Sequence, residues 1–152
     1  MCTEWVIFGT PPSMTLVGRM AKYLVGSWTA HKLKMAVSGC PRNCAEATCK
    51  DYGVICVGSG YEIPIGGSAG MEVKATQVLC HVETEEDVIE YSAAVVQLYR
   101  EQARYLERIH KWLGRVGIDT VKEQIVEDPE RRRKLADRFE YAQQFLQHDP
   151  WA

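Results

Sequence analysis

The spacing of apolar positions changes character along the chain. From residue 84 onward, Val88, Tyr91, Val95, Leu98, Ala103, Leu106, Ile109 and Leu113 recur every three or four positions. That period places them on one stripe of an α-helix. Just ahead stands Thr84-Glu85-Glu86-Asp87, a hydroxyl followed by acids, which satisfies the first unpaired amides of a helix. The pattern predicts one long helix from this cap to near Gly114 or Gly117. Asp119 is the expected cap of a short helix running through Val126. Asp128-Pro129 should start another, placing Leu135, Phe139, Ala142 and Phe145 on one face.

Upstream the periodicity shortens. A turn at Pro11-Pro12-Ser13 precedes a predicted helix over residues 14–24, with Leu16, Val17, Met20, Tyr23 and Leu24 at helical spacing. Residues 32–37 alternate polar and apolar side chains, as a strand does. Residues 52–57 are rich in β-forming side chains, Gly58-Ser59-Gly60 is a turn, and residues 61–65 give the return strand of a hairpin. A glycine-rich loop, residues 66–70, then leads to a further strand over residues 71–79. The expected fold class is α+β. One unit spans residues 1–152, with strands and loops forming a small mixed or antiparallel sheet in 1–80 and helices in 81–152.

Composition narrows the function. A chain of 152 residues, 46% hydrophobic and 25% charged, can bury one ordinary core. A net charge of -2 gives no global bias toward nucleic acid or an acidic membrane surface. The run Arg131-Arg132-Arg133-Lys134, interleaved with Glu130 and Asp137, is expected to be a solvated helix face. No stretch approaches the roughly 18 apolar residues of a membrane span. The first residues lack a basic leader, and Glu4 interrupts them. The expectation is a cytoplasmic protein, where clustered cysteines serve as metal ligands or redox groups more often than as disulfides.

That expectation directs attention to VSGCPRNCAEATC, residues 37–49, which holds three of the six cysteines. Cys40 and Cys44 form a Cys-x3-Cys pair beside the stiffening Pro41. Thiolates suit iron-sulfur clusters, Zn²⁺ and Cu(I), and two of them make half of a four-ligand site. Spacing alone leaves open a second reading, two reduced cysteines in a turn. Cys56 and Cys80 fall in strand contexts and are expected to be buried as small hydrophobes. The four histidines are scattered and suggest no site of their own.

HKLKMAVSGCPRNCAEA (residues 31–47), followed by KDYGVIC, YEIPIGGSAG and a terminal DPW, resembles the siroheme and [4Fe-4S] region of the nitrite and sulfite reductases. The likeness is strongest to the carboxy-terminal part of the large subunit of bacterial NAD(P)H-dependent assimilatory nitrite reductase. It implies half of a siroheme-binding domain that takes part in the six-electron reduction of nitrite to ammonium. By that resemblance Cys40 and Cys44 are cluster ligands, and the Cys44 thiolate bridges the cluster to the siroheme iron. Lys32, Lys34 and Arg42 become candidate cations for the siroheme carboxylates, with Asn43 beside the thiolates; a wet strand face explains the lysines as well. Gly66, Gly67 and Gly70 match a loop whose backbone approaches the cofactor, although a tight turn would also call for glycine. FAD and NAD(P)H would act only through other domains. The implied partners are those remaining large-subunit domains and the small subunit, with nitrite as substrate and the chain inactive alone.

Departures from the family pattern are equally specific. Val6 stands where the family has the second cysteine of a Cys-x5-Cys pair, just before Ile7-Phe8-Gly9. The first cysteine of that pair would fall before Met1, and Pro11-Pro12 replace an expected Gln-Asp. Cys2 and Cys49 have the wrong spacing to substitute. This sequence therefore offers two of the four usual thiolates. Alternative readings are a sulfite reductase, a non-catalytic remnant or binding module on the same scaffold, and a zinc module that adds Cys49.

Overall fold

The computed structural model describes residues 13–145; Cys2, Val6, Pro11-Pro12 and the terminal DPW lie outside them. The described chain begins with α1 (Ser13–Leu24), β1 (Met35–Ser38), a single 3-10 turn (Ala47–Cys49), β2 (Tyr52–Val57) and β3 (Gly60–Ile65). It continues through β4 (Ser68–Ala69), β5 (Val73–Lys74), β6 (Gln77–Val82), α2 (Glu85–Gln102), α3 (Ile109–Val116), α4 (Ile118–Ile125) and α5 (Pro129–Gln143). The architecture is α+β.

Four strands form a mixed sheet in the order β1-β2-β3-β6. β1 runs parallel to β2, whereas the hairpin β2-β3 and the pair β3-β6 are antiparallel. Alternation gives the sheet two different faces. Tyr52, Val54 and Cys56 of β2 point into the main core with Val88, Val95 and Leu98 of α2. Gly53 points the other way, and a Cβ there would come within 2.5 Å of the Ala47 carbonyl oxygen. The helices thus cover one face, and the turn at Ala47, which follows Cys40 and Cys44 in the chain, packs on the other.

Where the structure departs from the sequence expectation, hydrogen bonds supply the reason. The strand expected over residues 32–37 shortens to Met35–Ser38, because the Lys34 amide donates to Asp51 Oδ2 at 2.9 Å instead of a ladder. The strand expected over residues 71–79 divides into β5 and β6; between them the Thr76 amide donates to the Thr48 carbonyl at 3.0 Å. Thr84 caps α2 as expected, its hydroxyl accepting from the Asp87 amide at 3.1 Å. The long helix, however, stops at Gln102. Leu106 takes φ 61° and stays exposed, and Glu107 accepts from the Arg104 amide and from Arg115. The periodicity persists through the break because Ile109 and Leu113 resume on α3, both buried.

Asp128 caps α5 as expected, but Gly117 rather than Asp119 precedes α4. On α5, Leu135 and Phe139 are buried whereas Phe145 is exposed. The basic run is not a wholly solvated face. Arg132 lies 4.4 Å above the Tyr91 ring, donates to Glu90 at 2.6 Å and caps the Ile125 carbonyl at 3.0 Å. It ties α5 to α2 and to the end of α4. Among the described residues no helix is long and apolar enough to cross a membrane.

Candidate cofactor site

β1 ends at Ser38, and the chain then turns through Cys40, Arg42, Asn43 and Cys44. Asn43 organises this turn. Its Oδ1 accepts from the Ala47 amide at 2.7 Å and from the Ser38 hydroxyl at 3.2 Å, while its Nδ2 donates to Thr48 Oγ1. The Ser38 hydroxyl in turn accepts from the Ala45 amide at 3.3 Å. Asn43 and Glu46 both take positive φ, 55° and 56°, and Asn tolerates that region better than most side chains. The result is a stiff loop with one thiol inside and one outside. Cys40 is 2% exposed, and Cys44 is open to solvent.

The glycine loop meets this segment edge to edge. The Gly67 amide donates to the Lys50 carbonyl at 2.8 Å, and the Gly66 amide to the Asp51 carbonyl at 2.9 Å. Gly66 has φ +82°, and a Cβ there would strike Leu113; a Cβ on Gly67 would lie 2.8 Å from the Cys49 Cα. Packing inside the protein therefore already requires glycine at both positions. Gly70 has open space around it.

Asp51 locks the arrangement. Its side chain is fully buried, accepts from the Lys34 amide, and receives Arg108 Nη2 on both oxygens at 2.8 and 2.7 Å. Arg108 sits at the start of α3, so one ion pair joins β1, β2 and the helical half. Lys34 and Lys32 are exposed at the amino end of β1. Arg42, exposed beyond the carboxy end, is separated from them by the strand, which spans about 13 Å. The expected cations thus form two groups, Lys34 neighbouring the glycine loop through Asp51 and Arg42 accompanying the thiols.

Ser38, Thr48, Asp51 and Arg108 went unmarked in the sequence. The sole signal was Asp51, an acid directly before an apolar run, where it must find a partner if buried. Burial also decides the remaining thiols. It pushes the Cys80 thiol up to about 12, so that group stays protonated near neutral pH.

Residues 2–134 match the nitrite and sulphite reductase 4Fe-4S domain family. The chain belongs to this family. A nitrite reductase [NAD(P)H] of Bacillus subtilis strain 168 is 45% identical over 144 residues, which is 95% of this chain and 18% of that protein. The nitrite reductase (NADH) large subunit of Escherichia coli K12 is 32% identical over 128 residues, 83% of this chain and 15% of that protein. The chain therefore spans less than a fifth of either relative. The solved structure of the Mycobacterium tuberculosis NirA protein shares the fold, with a TM-score of 0.67 at 19% identity over 78% of this chain and 24% of that one.

Membership in a nitrite and sulphite reductase 4Fe-4S family brings an iron-sulfur cofactor, and the donor set tests the match. Cys40 and Cys44 carry thiols, the soft donors such a cofactor takes, on a turn held by the Asn43 and Ser38 hydrogen bonds. Among the described residues, no group of three or more His, Cys, Asp or Glu side chains converges on a metal position. Cys40, buried, and Cys44, exposed, are the two thiols this turn carries, and two thiols are half of the donor set of a four-thiolate cluster.

Proposed function

We propose that this domain is the part of a siroheme-dependent nitrite reductase that contributes Cys40 and Cys44 to a [4Fe-4S] cluster and forms one wall of the siroheme pocket. The observation that carries this reading is the joining of the cysteine segment to the glycine loop through the Lys50–Gly67 and Thr48–Thr76 backbone hydrogen bonds. Those two bonds hold side by side two loops of the kind the family uses for its cofactors. When bound, cluster and siroheme would supply the electron transfer and the iron centre for the six-electron reduction of nitrite to ammonium. This chain's own contribution is to hold the two thiols on one turn and to fasten the glycine loop to the end of the same segment at Thr48 and Lys50.

Cys44, the exposed member of the pair, is the proposed bridging thiolate. Asn43 fixes its turn, and Lys32, Lys34, Arg42 and Gly70 are the further proposed cofactor contacts. The remaining large-subunit domains and a small subunit, with FAD and NAD(P)H, complete the enzyme in the cytoplasm. Both relatives are named nitrite reductases, which favours nitrite over sulfite as substrate. A second reading, a scaffold that outlived its cluster, draws on the two-thiol donor set.

The test is anaerobic purification from cells with siroheme biosynthesis, with the missing large-subunit portion co-expressed. Iron, acid-labile sulfide and the visible spectrum are then measured. Bound iron and siroheme bands that lose their coupling in Cys44→Ser are expected. A colourless, iron-free complex would leave the scaffold reading standing.

A further inference from the structure

The hairpin that follows the glycine loop is short. β4 and β5 pair through Ser68↔Lys74 and Ala69↔Val73, and two-stranded ribbons of this size are marginal in water unless anchored. Its base is anchored to the cysteine segment by the Gly67 and Thr76 amides. Its tip carries Gly70 with open space around it and a wholly exposed Met71. The next residue, Glu72, reaches α3, where its Oε2 lies 3.3 Å from His110 Nε2.

The two partners are unequal. The His110 side chain is 3% exposed, whereas that of Glu72 is 51% exposed. His110 stands between Ile109 and the fully buried Trp112 on a packed helix, so it is the fixed post and Glu72 the moving arm. His110 Nδ1 is buried without a hydrogen-bond partner. A buried, unpaired N–H costs more than a bare lone pair, so the network assigns the proton to Nε2, donated to the carboxylate. Donation to a charged acceptor is stronger than a neutral bond. Glu72 is held below the usual carboxylate range, first by this hydrogen bond, with desolvation opposing it and the charges of His110, Lys74 and Lys111 adding less.

We propose that His110 is a positioning residue: through Glu72 it latches the glycine hairpin to α3 and sets how far that hairpin stands from the Cys40–Cys44 segment. The consequence for cofactor uptake rests on the proposed function above; the latch itself does not. Packing alone would explain the burial of His110 but not the reach of Glu72 from the hairpin tip.

Hydrogen exchange followed by mass spectrometry on the full chain separates these possibilities. Glu72→Ala removes the arm at an exposed position and leaves the core untouched, and His110→Leu, which keeps an apolar side chain but no donor, tests the post. Amides of residues 69–74 should exchange about tenfold faster in both variants, with β2 and α2 unchanged. Glu72→Gln, which keeps an acceptor, should recover part of the protection. Unchanged exchange in Glu72→Ala overturns the latch, whatever the cofactor does.

Siroheme absorbance per chain in the complex with the co-expressed large-subunit domains, formed with siroheme biosynthesis intact, tests the consequence. Faster exchange together with lower absorbance in Glu72→Ala supports the positioning role. Faster exchange with wild-type absorbance overturns it. A wild-type chain without siroheme would count against the cofactor reading, and exchange alone would then decide the latch.

Discussion

Arg108 places a single Nη2 between both carboxylate oxygens of Asp51, at 2.7 and 2.8 Å, with the aspartate wholly buried. The pair connects the residue that ends the cysteine segment to the residue that begins α3. Removing one partner of such a pair leaves the other charge buried and uncompensated, at a cost of about 3–5 kcal/mol. Arg108→Met should lower stability by that order in urea titrations, and Asp51→Asn,Arg108→Met together should cost less than the sum of the single changes. Additive losses would mean that the two groups are not coupled.

The break after α2 predicts an acid sensitivity. Arg115 first, and the Arg104 amide after it, depress the Glu107 carboxyl to about 2, against desolvation that raises it. A carboxylate depressed in the folded state stabilises it above the unfolded value near pH 4.3, and that contribution is lost as pH falls toward about 2. The urea midpoint of the wild type should therefore fall more steeply than that of Glu107→Gln between pH 5 and pH 3. Parallel curves would show that the ion pair does not contribute.

Thiol chemistry should rank the cysteines by exposure and charge state. Cys44 is exposed, Cys49 and Cys80 are half-buried, the latter against the expectation of full burial, and Cys40 and Cys56 are buried; burial pushes the Cys80 thiol up to about 12. Alkylation of the cofactor-free chain at pH 8, read by peptide mapping, should modify Cys44 first, Cys80 more slowly than Cys49, and Cys56 only on unfolding. Protection of Cys44 in iron-loaded protein is expected as well. Rapid labelling of Cys44 despite full iron content would remove it from the ligand set.

The three glycines should separate packing from cofactor approach. Gly66→Ala meets positive φ and Leu113, and Gly67→Ala meets the Cys49 and Lys50 backbone, so each should cost about 1–3 kcal/mol. Gly70→Ala has open space and should leave the melting temperature unchanged while lowering siroheme uptake. Unchanged uptake would remove Gly70 from the site.

The amino-acid sequence by itself determined the α+β class, the hairpin of Tyr52 to Ile65, the caps at Thr84 and Asp128 and the buried stripe of α2. These depend on side-chain period and on hydrogen bonds between near neighbours in the chain, which a linear pattern records. It also marked Cys40 and Cys44 and carried the family likeness. Tertiary structure alone decided where the long helix breaks, since there the Leu106 amide donates to the distant Ala30 carbonyl at 3.1 Å instead of continuing the helix. Tertiary structure likewise moved Arg132 from solvent to an interface between helices, and it brought Asp51 to Arg108 and Glu72 to His110 across 57 and 38 positions. Such pairs carry no periodicity, and a buried charge finds its partner only when the folded chain has removed water from around both.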